Sequence, residues 1–202
     1  MLKYLRDPIV RQYNDLAKFL QLPIIFAQTE WLQAPSIEGQ YRGRHIRVFS
    51  FYVSKMVGHG EHRRMKTYPY TSVFVHCDNF YKYQLAVSPG KPGRKILRKL
   101  KSLFFKEEET DAGERLLMDN YTLSANDNYF ADAILDNGFR DQLLTHIKSL
   151  YGMMRLEGDT IVYTERVMID RDGTRGRIEE MTDLAVELAE MIEQFTEEHR
   201  AA

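Results

Sequence analysis

The sequence predicts an α+β fold, a mostly antiparallel sheet with helices packed on one face and an amphipathic helix at the C-terminus. Three observations carry that expectation. Residues 37 to 88 are rich in aromatic and β-branched types and contain period-two alternation. Residues 8 to 20 and 178 to 195 instead repeat apolar side chains at helical spacing. The elements follow the order helix, strands, helix, strand, helices, hairpin, helix, which sets helices beside a sheet rather than alternating with it. With 202 residues, 44% hydrophobic and 28% charged, the chain is long enough to bury one core, and a single α+β domain over 1–202 is expected.

The first helix has Asp7 placed to cap it, Pro8 at its first position and Val10, Tyr13, Leu16, Ala17 and Leu20 on one side, with Pro23 as the stop. Residues 37 to 53, broken by Gly39 and Gly43, predict two short strands or one long bulged strand. Gly58, Gly60 and the charged residues after them predict a loop, and Tyr70 to Cys77 a strand. Asp78 and Asn79 predict a turn. Tyr81, Tyr83, Leu85 and Val87 alternate with Lys82, Gln84, Ala86 and Ser88, so an antiparallel meander over 37 to 88 is expected.

Residues 91 to 106 predict a basic helix, and 119 to 125 a strand. Ser124 and Asp127 fit a cap for a helix carrying Phe130, Ile134 and Leu135, interrupted at Asn137 and Gly138. A further helical stretch carries Phe139, Leu143, Ile147 and Leu150. Gly158-Asp159, between strand-like residues from Met153 to Val167, signals a hairpin. Asp170 to Gly176 predicts a turn-rich loop. In the last helix Ile178, Met181, Leu184, Leu188, Ile192 and Phe195 share one arc, opposite Glu179, Asp183, Glu187, Glu190 and Glu193.

Composition narrows the function classes. The sole cysteine, Cys77, has no internal partner for a disulfide, and residues 1–7 lack an apolar run like that of a secretory signal. No apolar stretch reaches the roughly 20 residues a membrane helix needs. A cytoplasmic location is therefore expected, with a membrane-peripheral one as the further reading. The charge is segregated: residues 91 to 106 hold seven basic and no acidic side chains in a chain of net charge −1, which leaves about −8 on the rest.

That basic segment is the first candidate site. On a helical wheel Ile96, Leu97, Leu100, Leu103 and Phe104 form an apolar arc, while Arg94, Lys95, Arg98, Lys101 and Phe105 fall outside it. Basic heads with one aromatic ring suit an anionic membrane surface, a nucleic acid or an acidic protein. The simpler reading is a helix docked on the sheet, its solvated face lined with long basic stems and facing the acidic last helix.

Other patterns point less clearly to chemistry. His59, Glu61, His62, His76 and Cys77 are residue types that bind transition metals, and the region of His59, His62 and His76 suggests a small metal-dependent enzyme or ligand-binding protein as an alternative. The histidines are three apart rather than four, and His76 and Cys77 are strand neighbours facing opposite ways. Ser88 to Gly93 lies where a phosphate cradle would, but its prolines remove amide donors. Asp170-Arg171-Asp172-Gly173 opens like a calcium loop and then departs from that pattern at Thr174 and Arg175. No catalytic set, metal site or cofactor is assigned. The aromatic residues from Tyr41 to Tyr83 predict core packing, with a sheet face for a partner or a second copy as the other reading.

The stretch Gly39-Gln40-Tyr41-Arg42-Gly43-Arg44-His45-Ile46-Arg47-Val48, then Tyr70 to Val75, then a glycine-centred hairpin leading into an acidic helix, resembles bacterial domains of unknown function. The resemblance implies a soluble or membrane-associated bacterial domain and transfers no catalytic residues. The expectation is a non-enzymatic binding or interaction domain whose basic amphipathic helix meets an anionic partner.

Overall fold

The computed structural model describes residues 8–26, 35–59, 62–89, 115–118, 121–146 and 150–200. Helix α1 (Pro8–Leu20) opens the chain, followed by strands β1 (Ile24–Ile25), β2 (Ser36–Tyr41), β3 (Arg44–Val57), β4 (Arg64–His76) and β5 (Leu85–Pro89). Next come β6 (Arg115–Met118), β7 (Tyr121–Ala125), α2 (Asn128–Ile134), a π-helical turn over Leu135–Phe139 and α3 (Arg140–Thr145). The hairpin β8 (Met153–Glu157) and β9 (Thr160–Glu165) leads into α4 (Asp172–Arg200). Among the described residues nine strands are hydrogen-bonded in the order β1-β2-β3-β4-β9-β8-β5-β7-β6. The fold is α+β, with a mostly antiparallel sheet and a long C-terminal helix. No helix among the described residues is long and apolar enough to cross a membrane.

The chain divides into two compact units, Met1–Val73 with Thr164–Glu179, and Phe74–Tyr163 with Glu180–Ala202. Strands β4 and β9 and helix α4 each run through both.

In the first unit α1 buries Val10, Tyr13, Leu16, Ala17 and Leu20, the side chains its sequence period selects. Its end differs from the expected stop at Pro23. Gln21 takes a left-handed φ of 56°, its amide donating to the Lys18 carbonyl and that of Leu22 to the Ala17 carbonyl. Those paired bonds form a Schellman cap, so the chain has already left the helix before Pro23. Asp7 lies outside the described residues. Strands β2 and β3 form a hairpin through Arg42 and Gly43, both at positive φ (49° and 77°), as a two-residue primed turn requires.

Strand β4 corrects the expected loop after Gly58. It begins at Arg64, six residues before the apolar run, because β3 is long enough to pair with it. The first turns of α4 correct the loop expected over 170–176. Gly173 and Gly176 are helical because the turn is tied down: Gln12 Nε2 donates to Asp172 Oδ1 (2.8 Å), and Arg175 reaches Asp15 (3.2 Å) and Glu179 (3.1 Å). Thr174 and Ile178 are fully buried there. Those contacts outweigh the helix cost of glycine, about 1 kcal/mol each.

In the second unit β5 pairs with both β7 and β8, so that Leu85 and Val87 lie between Leu123 and Ala125 on one side and Met154 and Leu156 on the other. Only half of the expected 81–88 strand forms. The buried Asn79 folds residues 79–84 into a turn: its Nδ2 donates to the Tyr83 carbonyl (2.8 Å) and its Oδ1 accepts from the Tyr83 amide (3.0 Å). The 37–88 meander is corrected as well, since β4 takes β9 as its neighbour and β5 follows only after β8. Asp127 caps α2 by accepting from the Phe130 amide (2.8 Å). Ser124 is a strand residue, paired with Ala86. Gly138, at φ 101°, interrupts the helix as expected, through a π-helical turn rather than a break. The β8–β9 hairpin turns at Gly158-Asp159 as expected, with Gly158 at φ 53°.

Candidate functional site: a basic two-stranded ribbon

Three side-chain contacts fix the pairing of β3 with β4. Ser50 Oγ meets Thr71 Oγ1 at 2.8 Å, Ser54 Oγ meets Thr67 Oγ1 at 2.9 Å, and the rings of Phe51 and Tyr70 stack at 5.6 Å. All three belong to one antiparallel register, which sets Met56 opposite Met65 and Lys55 opposite Lys66. β2 pairs with β3 only as far as Phe49. On the other side, the Ser72–Thr164 hydroxyl contact (2.8 Å) and the Cys77 amide on the Asp159 carbonyl (3.0 Å) match β9 to the C-terminal half of β4. Among the described residues, 52–57 and 64–69 therefore pair only with each other. They form a two-stranded ribbon about 20 Å long that runs on beyond the sheet.

The two ribbon faces differ because side chains alternate along each strand. One face carries Tyr52, Ser54 and Met56 against Pro69, Thr67 and Met65. Its apolar members lie in water, with Tyr52 47%, Met56 59% and Met65 67% exposed. The other carries Val53, Lys55 and Val57 against Tyr68, Lys66 and Arg64. Across residues 52–68 the sequence has four basic side chains (Lys55, Arg63, Arg64, Lys66) and one acidic (Glu61), a formal charge of 4 − 1 = +3. Among the described residues none of those four meets a carboxylate.

The root of the ribbon is tied to its neighbours by side-chain contacts. Tyr13 Oη, Ser50 Oγ and Thr71 Oγ1 form a buried hydroxyl chain (2.7 and 2.8 Å), and Thr71 donates on to the Val167 carbonyl (2.9 Å). Burial drives the Tyr13 hydroxyl well above its ordinary pKa, with the Ser50 hydrogen bond opposing weakly. Arg166 lies 3.6 Å over the Tyr68 ring, which binds the root to the segment after β9. At the tip the His62 amide donates to the His59 carbonyl (3.2 Å), and Gly58 adopts φ 106° with the His62 carbonyl standing where a Cβ would be. Only glycine fits there.

The structure does not bring the three histidines together. His59 and His62 stand at the ribbon tip in the first unit, whereas His76 ends β4 in the second. Its Nδ1 lies 3.1 Å from the Asp159 carbonyl. Cys77 is buried and its Sγ donates to the Ala189 carbonyl (3.8 Å). Among the described residues no group of three His, Cys, Asp or Glu is placed to hold a metal ion. The other expected site residues, Arg94, Lys95, Arg98, Lys101 and Phe105, lie outside the described residues. Sequence reading missed the ribbon because Gly58 to Lys66 looks like a solvated loop. The available signal was the alternation of Tyr52, Ser54 and Met56 with Val53, Lys55 and Val57, which carries the strand past the core.

The fold has a solved counterpart. The crystal structure of the mycobacterial trehalose monomycolate transport factor A, TtfA, is similar with a TM-score of 0.52 over 91% of this chain and 92% of that one, at 10% sequence identity. At that identity the likeness is one of fold. No family model and no curated protein matches the chain.

Proposed function

We propose that this chain is a non-enzymatic binding domain for an anionic partner, peripheral to a membrane on its cytoplasmic side, and that the basic ribbon is part of its binding surface. The observation that supports this reading is a projecting ribbon of charge +3 whose Lys55, Arg63, Arg64 and Lys66 meet no carboxylate among the described residues. Four cations held on one arm attract phosphates or carboxylates without any reaction at a catalytic centre. The segment with Arg94, Lys95, Arg98, Lys101 and Phe105 adds to this reading through its charge. A binding role is compatible with a fold that also serves a transport factor.

Binding of a fluorescent inorganic polyphosphate, followed by anisotropy at 50 and 300 mM salt, tests it. The expected result is saturable binding that weakens steeply with salt and falls about tenfold or more in Lys55→Ser/Lys66→Ser. Equal affinity at both salt concentrations, or an unaltered double variant, overturns it.

A further inference from the structure

Charge alone leaves one feature of the ribbon unexplained. Edge strands are often protected by lysines, which discourage pairing with other chains. Methionines do the opposite, yet Met56 and Met65 are set side by side, more than half exposed, with Tyr52 on the same face. The rest of that face holds Pro69 and two hydroxyls, Ser54 and Thr67, already bonded to each other. A nucleic acid or an acidic protein gripping the basic face would leave this apolar face in water.

Resting on the binding role proposed above, we infer that the partner is an anionic lipid bilayer, and that the ribbon lies flat in its interface with Tyr52, Met56 and Met65 turned into the acyl boundary. The dimensions agree. The headgroup layer is roughly 5–7 Å deep on each side of the hydrocarbon, less than the ~10 Å that a sheet with its side chains takes up face to face, so a ribbon resting on the acyl boundary spans it. With the apolar face at the acyl boundary, Lys55, Arg64 and Lys66 sit among the phosphates, and among the described residues neither ribbon edge is paired, so their stems can reach them. Methionine suits the apolar role because its unbranched thioether adapts to a fluid surface. The clamp of Arg166 on Tyr68 and the hydroxyl chain from Tyr13 hold the ribbon so that little ordering is required on contact.

Co-sedimentation of the full chain with phosphatidylglycerol/phosphatidylcholine vesicles, with pure phosphatidylcholine vesicles and with inorganic polyphosphate separates the readings. The chain is expected on the anionic vesicles and not on the neutral ones. Met56→Ser/Met65→Ser, which keeps every charge, is expected to weaken vesicle binding roughly tenfold while leaving polyphosphate binding within about twofold. Since the one native thiol is buried, Met65→Cys carries a polarity-sensitive dye at a single site, and its emission is expected to shift to the blue on anionic vesicles. Should the methionine pair make no difference to vesicle affinity, or the dye stay in water on bound vesicles, the bilayer inference is overturned while polyphosphate binding preserves the broader role. Binding to neither vesicles nor polyphosphate overturns both.

Discussion

Tyr13 sits at the centre of the first unit, fully buried, its hydroxyl on Ser50. Burial disfavours its phenolate, so the folded chain keeps the proton at pH values where an unfolded tyrosine, with a pKa near 10, gives it up. The sign follows: this group contributes stability that is fully present below about pH 10 and is lost as pH rises toward the higher folded value. Urea midpoints measured from pH 7 to 11 are expected to fall less steeply for Tyr13→Phe than for the native chain. At pH 7 the same variant is expected to lose about 1 kcal/mol, the net worth of one hydrogen bond. Glu165, 6% exposed, pairs with Arg177 at 2.7 Å. Arg177→Met removes the arginine partner of a buried carboxylate and is expected to cost about 3 kcal/mol in urea denaturation, much of it regained in Arg177→Met/Glu165→Leu. Neither pair was legible beforehand, because each joins side chains of different elements, a helix and a strand brought together only by folding.

At the scale of elements, periodicity located α1, the β8–β9 hairpin and α4 well, since one buried stripe or one tight turn determines each. It misplaced ends, which depend on contacts. Gly173 and Gly176 read as loop, yet both are helical, and a Cβ built on either meets no atom within 4 Å. Gly173→Ala and Gly176→Ala are each expected to raise stability by about 0.5–1 kcal/mol, seen as higher melting temperatures. The Asn79 turn shows the converse, with clean alternation at 81–84 overridden by one buried amide that satisfies the backbone locally. The ribbon tip depends on Gly58. Gly58→Ala is expected to raise amide exchange at residues 57–64 without moving the exchange of β5 or α4, because the His62 carbonyl must give way.

For the whole molecule, strand order was the least legible property. The hairpin β8–β9, from the last third of the chain, inserts between β4 and β5, and no local pattern encodes an insertion from 70 residues away. The ribbon follows from that order, since β9 and β2 each stop short of it. Replacing residues 54–67 by Asn-Gly, which retains the Val53–Tyr68 root, is expected to keep cooperative unfolding with a melting temperature within about 4 °C while salt-sensitive binding to anionic probes is lost. By itself the sequence determined that this is an α+β chain with segregated charge, because composition, period and turn chemistry act over a few residues at a time. Only the tertiary structure decided that Lys55, Arg63, Arg64 and Lys66 share an arm with an exposed methionine pair. Which strand ends find partners is a property of the assembled sheet, and the ribbon is what the sheet leaves unpaired.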